Sequence, residues 1–178
     1  MVIMKSIVSY MLNQFNYKPL WLVILPVFLI VCVWFLIKSV LRENVLRILC
    51  KVVFSVYMVV LLLLTVFLRD KNETTSVCVI PFFIFTLAEK GNTVYRSVLL
   101  NVLMFIPFGL LLPDIVKKER FRYFIIVFIA FLTSVGIETM QYVFQVGRTE
   151  IDDVIFNTIG ALIGCGIFRM VAKHCNQR

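Results

Sequence analysis

Residues 146–164, "VGRTEIDDVIFNTIGALIG", begin with a polar, acidic stretch and continue as a hydrophobic run. Within this stretch, Thr149 and Asp152 match the S/T-x-x-D/E pattern that caps the start of a helix. Acids in a first turn also stabilise the positive end of the helix dipole, by about 0.3 to 1 kcal/mol each. The stretch therefore predicts a helix that begins near Asp153 and continues to about Ala172.

Capping alone could explain the acids of this stretch, but it does not explain Asn157 or Arg148. Asn157 follows Asp153 by four residues, on the same helical face and inside the apolar run, where an unpartnered amide is costly. Arg148 carries a planar guanidinium that suits a carboxylate or a phosphate, although a single loop arginine is more often simply solvated. We therefore predict a shared polar binding site that contains Arg148, Asp153 and Asn157.

The composition of the whole chain indicates an integral membrane protein. The 178 residues are 61% hydrophobic and 16% charged, whereas a soluble domain is about 45 to 50% apolar and about 25% charged. The net charge of +8 comes from Lys and Arg residues that lie between apolar runs. Residues that set the topology or contact anionic lipids are expected at such positions. Membrane lipids are therefore the expected partners, and nucleic acid is not.

Cysteine and histidine usage indicates neither a metal site nor a redox site. The five cysteines form no C-x-x-C pair, and the single histidine, His174, has no partner at a ligand spacing. No low-complexity linker or internal repeat divides the chain. We expect one polytopic membrane domain over residues 1–178, with no metal and no cofactor.

The predicted fold class is an all-α integral membrane protein with about five transmembrane helices, because a spanning helix needs about 20 mostly apolar residues. The predicted spans are Leu20–Ile37, Lys51–Leu68, Tyr95–Leu112, Tyr123–Gln141 and Asp153–Ala172. Residues 77–87, "VCVIPFFIFTL", are too short to cross and contain Pro81, which favours a short re-entrant or interfacial segment. In the third span, Pro107 removes a backbone hydrogen bond and predicts a kink.

Lys and Arg near the helix ends predict the orientation in the bilayer. The loop after the first span, the loop after the third span and the C-terminal tail lie on one side of the membrane, and eleven Lys and Arg residues fall there. The other seven fall on the opposite side. We therefore expect the N-terminus outside and the C-terminus in the cytoplasm. Five polar residues then lie toward the outer side: Asn101, Glu138, Gln141, Asp153 and Asn157. With Arg148 they form the predicted outward-facing binding pocket.

Two of these residues have a simpler interpretation beside the functional one. An acid at the centre of a membrane helix costs about 2.5 to 3.5 kcal/mol on insertion scales and usually marks function, whereas near the headgroups Glu138 would simply be solvated. Asn101 can line a cavity or join two helices by a hydrogen bond.

Gly160 and Gly164 form a G-x-x-x-G motif, which with the small residues Ala161 and Gly166 predicts close helix packing.

Two ordered motifs resemble the VanZ-like membrane protein family. They are "NVLMFIPFGLLLP", residues 101–113, and "ETMQYVFQVGRTEIDDVIFNTIGALIG", residues 138–164. The tripeptide "IPF", residues 80–82, is similar to an upstream segment of the family, so the resemblance covers about residues 81–166. It implies a small polytopic protein of the bacterial cytoplasmic membrane, from a family associated with resistance to teicoplanin-type lipoglycopeptide antibiotics.

Three functions remain compatible with these residues. The favoured one is a binding module whose polar pocket engages a cell-envelope ligand, such as a cell-wall precursor, or a lipoglycopeptide. The second is a membrane enzyme acting on a lipid-linked envelope precursor, with Glu138 or Asp153 as general base, although the sequence contains no recognisable catalytic set. A small transporter is less favoured, because the polar residues gather on one side instead of along a path across the bilayer.

Overall fold

A computed structural model describes residues 29–30, 32–34, 36, 38, 43–67, 77–82, 92–116, 120–146 and 149–175. The described residues from 29 to 38 are helical. The elements that follow are α1 (Glu43–Leu62), which continues as a π-helical turn (Leu63–Phe67), β1 (Val77–Cys78), α2 (Asn92–Ile115), α3 (Arg122–Phe144), β2 (Thr149–Glu150) and α4 (Ile151–Cys175).

In the described part of the chain, four helical stretches are long and apolar enough to cross a membrane. They are Asn44–Phe67, Ser97–Ile115, Arg122–Phe144 and Ile151–Lys173. The all-α membrane fold is thus confirmed. The last three stretches agree with the third to fifth predicted spans to within three residues, whereas the first begins seven residues before the predicted span Lys51–Leu68. The first predicted span, Leu20–Ile37, lies largely outside the described residues. The orientation in the bilayer stays a prediction.

Helices α2 and α4 pack side by side and run in the same direction, with glycines at their contact. A Cβ atom added to Gly160 would collide with the carbonyl oxygen of Val102, and one added to Gly164 would collide with that of Ile106. The predicted G-x-x-x-G packing is therefore confirmed, because only glycine lets the two backbones approach so closely. Gly166 takes no part in this contact, since a Cβ atom there would meet no atom of the described residues within 4 Å.

Between the two ends of the bundle lies an apolar core. Phe105, Phe108 and Leu61 are buried there together with Ile126 and Ala130. Helix α2 continues through Pro107 and Pro113, and the hydroxyl of Tyr57 donates a hydrogen bond of 2.7 Å to the carbonyl oxygen of Met104. This bond joins α1 to α2 in the turn that precedes the first proline.

The segment 77–82 is a short strand followed by a turn, and it contacts the beginning of α4. Strand β1 pairs in parallel with β2, with Val77 opposite Thr149 and Cys78 opposite Glu150. The side chains of Val79, Ile80 and Phe82 are exposed. Residues 83–87 of the predicted re-entrant or interfacial segment lie outside the described residues, so its depth in the bilayer stays a prediction.

Candidate functional site

The structure brings five of the six predicted site residues to one end of the bundle, where α2 and α4 begin and α3 ends. We call this region the acidic end. Its members are Asn101, Ser134, Glu138, Gln141, Asp152, Asp153 and Asn157. All are buried except Asn101, which is half-buried. The sixth predicted residue, Arg148, lies outside the described residues, and its role stays a prediction.

Asn101 and Asp153 are joined directly across the α2–α4 contact. The side-chain amide of Asn101 donates to Oδ1 of Asp153 at 2.5 Å. This pairing follows from the parallel, glycine-mediated packing, which sets the first turns of the two spans beside each other. Of the two interpretations of Asn101, the hydrogen bond between helices is the one observed.

Glu138 reaches from α3 to the start of α4. Its Oε2 atom accepts a hydrogen bond of 3.0 Å from the backbone N–H of Glu150, which directly precedes the helix. The first N–H groups at a helix start have no partner within the helix, so a carboxylate from another element can satisfy one of them. Since Glu138 is only 6% exposed, the alternative of a simply solvated side chain is wrong.

Asp152 holds the segment 77–82 against α4. Its Oδ1 atom accepts a hydrogen bond of 2.5 Å from the backbone N–H of Phe82, whose φ of 60° lies in the left-handed region. The predicted capping pattern is wrong, because Thr149 lies in β2 and α4 begins at Ile151. Sequence reasoning assigned Asp152 to the helix start alone and missed this long-range contact. The "IPF" tripeptide was the signal that could have indicated it.

Asn157 is paired with a residue that sequence reasoning missed. Its side-chain amide donates to the hydroxyl of Ser134 at 2.8 Å, and both side chains are buried. The pair satisfies the amide inside the apolar run of α4 and links α4 to α3. Ser134 precedes Glu138 by four residues and Gln141 by seven, so helical periodicity could have indicated it as a member of the same face.

Gln141 connects the acidic end to α1. Its Nε2 atom donates to the backbone oxygen of Thr65 at 3.0 Å, within the π-helical turn that ends α1. Turns of this kind are frequent at functional sites. Its Oε1 atom is buried and, within the described residues, has no hydrogen-bond partner. An unsatisfied buried acceptor costs about 1 to 3 kcal/mol, so a group that donates to Oε1 would bind favourably here.

The acids of this end already have defined roles in holding the fold. Glu138 and Asp153, the candidate general bases, accept hydrogen bonds from Glu150 and Asn101 respectively. Across the described residues, no three His, Cys, Asp or Glu side chains are grouped so that they could hold a metal ion. The acidic end therefore provides buried oxygen atoms that accept hydrogen bonds.

The opposite end of the bundle contains a second polar cluster, which we call the basic end. Its members are Trp34, Lys38, Cys50, Asp114, Arg122, Tyr123 and Phe168. Asp114 accepts hydrogen bonds from the indole N–H of Trp34 at 2.9 Å and from Nζ of Lys38 at 3.0 Å. Sequence reasoning missed Asp114. Two features of the sequence could have indicated it. Asp114 follows Pro113 at the end of an apolar run, and Trp34 and Lys38 are four residues apart.

Comparisons with known proteins show which family this chain is similar to. The family model described as VanZ/LLP1 matches residues 54–172. Protein VanZ of Enterococcus faecium is 34% identical over 140 residues, in an alignment that covers 74% of this chain and 81% of that protein. No solved structure matches the chain.

The four apolar helices make this chain a multi-pass membrane protein. It belongs to the VanZ-like family, since the family model covers most of its length and the similarity to Protein VanZ extends beyond two thirds of both chains. The matched region is wider than residues 81–166, where the sequence motifs indicated the resemblance, and it includes the last nine residues of α1.

Proposed function

We propose that this protein contributes to resistance to teicoplanin-type lipoglycopeptide antibiotics by binding, at its acidic end, a cell-envelope ligand or the antibiotic itself. Membership of the VanZ-like family supports the link to such resistance. In the orientation predicted from Lys and Arg, the acidic end faces the outside of the cytoplasmic membrane. Cell-wall precursors and lipoglycopeptides both act on that side.

The observation that carries the proposal is the buried Oε1 atom of Gln141. It has no partner within the described residues, although polar groups inside a membrane bundle are normally satisfied by the protein. The other amide atom is fixed by the backbone of Thr65, so Oε1 has a defined direction. A ligand N–H or O–H group that donates to it removes an existing penalty and forms one new bond, together worth about 1 to 3 kcal/mol.

The surroundings of Gln141 suit an amphiphilic ligand. The neighbouring polar side chains make its setting polar although it is buried, and the hydrogen bond from Phe82 to Asp152 keeps an apolar segment beside them. Val79, Ile80 and Phe82 of that segment expose their side chains. A molecule with amide or hydroxyl donors and a lipid tail would contact both parts. Arg148 is a further predicted contact, for a carboxylate or a phosphate.

The proposal is tested by teicoplanin susceptibility in a strain that lacks the protein and receives it from a plasmid. The parent chain should raise the minimum inhibitory concentration. Gln141→Leu, which removes the acceptor and keeps the side-chain size, should return the minimum inhibitory concentration to that of the strain with the empty plasmid. Arg148→Ala should lower it as well. Membrane levels of each variant are measured in the same cultures by immunoblot.

Thr139→Val is the matched control, because Thr139 lies two residues earlier in α3, is exposed, and donates its hydroxyl only within its own helix, to the carbonyl oxygen of Val135. It should behave as the parent does. Full resistance in Gln141→Leu at the parental membrane level would contradict the proposal.

A further inference from the structure

An apolar cavity of about 170 Å³ lies where the helical residues before α1 meet α1 and α2. Its walls are aliphatic side chains, among them Val33, Leu49, Val53 and Leu111, together with Trp34 and Cys50. Because bilayer tails are as apolar as leucine, a cavity of this lining inside a membrane protein can hold part of an acyl chain. It lies toward the basic end, since Trp34 and Cys50 also belong to that cluster.

Trp34 connects this cavity to the charged groups. Its ring lines the cavity, its N–H donates to Asp114, and its centroid lies 5.7 Å from that of Phe168. Lys38 lies over the Phe168 ring at 3.7 Å, and the guanidinium carbon of Arg122 lies 5.4 Å from the same centroid. A single aromatic ring is therefore shared by two cations, directly beside the cavity.

The charges of this cluster do not balance. Within the described residues, Asp114 is its carboxylate, and the ion pair that it forms is with Lys38. Arg122 donates instead to neutral oxygens, the carbonyl of Pro113 at 3.4 Å and the hydroxyl of Tyr123 at 3.0 Å. The guanidinium is partly buried and its charge is not neutralised by these partners. Its planar fork of donors suits the oxygens of a phosphate.

The surface around the cavity carries further positive charge. Arg47 and Lys51 are exposed on α1, each next in sequence to a cavity-lining residue, Leu46 or Cys50. Basic groups that flank an apolar pocket at the end of membrane helices are the arrangement that binds anionic lipid headgroups. This charge complementarity identifies the occupant as a lipid with a phosphate and a net negative charge.

We propose that the basic end binds an anionic phospholipid, with its phosphate at Arg122 and one acyl chain in the cavity beside Trp34. This site is more specific than the general contact of a membrane protein with lipid, because it selects the headgroup. It lies at the opposite end of the bundle from the acidic end and does not depend on the function proposed there.

Fluorescence quenching of Trp34 by lipids with brominated acyl chains tests the site. The chain has two tryptophans, Trp21 and Trp34, so the full-length Trp21→Phe variant reports on Trp34 alone. It is reconstituted in phosphatidylcholine vesicles that contain increasing fractions of either brominated phosphatidylglycerol or brominated phosphatidylcholine. Half-maximal quenching should occur at about fivefold less of the anionic lipid, as expected from one cation near the surface.

Arg122→Gln should abolish this preference for the anionic lipid. The matched control is Arg120→Gln, because Arg120 is an exposed arginine two residues earlier, and it should retain the preference. Val53→Phe, which fills the cavity, should reduce quenching by both brominated lipids and tests the acyl-chain position independently of Arg122. Equal quenching by the two lipids, a preference that survives Arg122→Gln, or quenching unchanged by Val53→Phe would each overturn the proposal.

Discussion

The two ends of the bundle stabilise their carboxylates by different means. At the acidic end, Asp152 and Glu138 accept hydrogen bonds from backbone N–H groups of other segments, and Asp153 accepts one from the Asn101 amide. At the basic end, Asp114 is held by the side chains of Lys38 and Trp34. The carboxylates of the acidic end thus connect backbone segments that are distant in sequence, whereas the carboxylate of the basic end forms an ion pair with a side chain.

The two ends also differ in the group that each offers to a ligand. The acidic end retains a buried acceptor, Oε1 of Gln141, and so suits a ligand that donates hydrogen bonds. The basic end retains a cation with neutral partners, Arg122, and so suits an anion. The two proposed sites therefore call for unlike ligands, and the apolar core lies between them.

The largest effect is expected where a substitution disturbs both ends at once. Gly160→Ala pushes a methyl group into the backbone of α2 at Val102 and should destabilise the protein by about 3 kcal/mol, the upper part of the range for overpacking. Thermal unfolding in detergent measures the loss. Gly166→Ala is the control, because a Cβ atom there meets nothing within 4 Å in the described part of the chain, and it should be neutral or stabilising. Equal stability of the two variants would show that the helix contact does not depend on Gly160.

Breaking the ion pair should affect the basic end next most strongly. Asp114→Asn leaves Lys38 without its carboxylate in a site where the two side chains are 11% and 13% exposed. We expect a loss of about 2 to 3 kcal/mol, somewhat below the value for a fully buried pair because a lysine can extend toward the interface. The double variant Lys38→Met with Asp114→Asn should recover part of the loss in the same unfolding assay. No recovery would mean that the pair is not the source of the effect.

Gln141→Leu should distinguish a binding role from a structural one at the acidic end. The substitution removes the hydrogen bond to Thr65 but also the unsatisfied Oε1 atom, and these opposite effects should leave stability within about 1 kcal/mol of the parent. The same variant should lose resistance. A large drop in thermal stability together with that loss would instead assign Gln141 a structural role.

The smallest effect is expected for the deepest polar pair of the acidic end. Ser134→Ala removes the hydroxyl that accepts from Asn157, and hydrogen bonds between membrane helices average about 0.6 kcal/mol. The unfolding assay should therefore show a loss of this size. Thr139→Val, whose hydroxyl bonds only within α3, should show a smaller change. A loss above about 2 kcal/mol for Ser134→Ala would indicate that this pair organises the whole end.

The helices could be predicted because each depends on a local property, the length of an apolar run. The G-x-x-x-G contact was predicted for the same reason, since small residues at Gly160 and Gly164 suit close packing whatever the partner. The grouping of Asn101, Glu138 and Asp153 at one end also follows from the sequence, once the spans alternate in direction.

The partners of these residues could not be predicted, because they come from distant parts of the chain. Phe82 and Asp152 are 70 residues apart in sequence, and Trp34 and Asp114 are 80 apart. Asp152 matched a local capping pattern that explained it sufficiently, and nothing in that pattern connects it with the distant "IPF" tripeptide. Lys38 was explained as a topology charge, which concealed its pairing with Asp114.

The proposed function places antibiotic resistance at the acidic end of the protein. Two substitutions near opposite ends of α4 test it most directly: Asp153→Ala, which removes the partner of Asn101, and Arg169→Gln, which changes an exposed charge. The measurement is the teicoplanin minimum inhibitory concentration at matched membrane levels. We predict that Asp153→Ala falls to the value of the strain without the protein while Arg169→Gln equals the parent. Parental resistance in Asp153→Ala would contradict the claim.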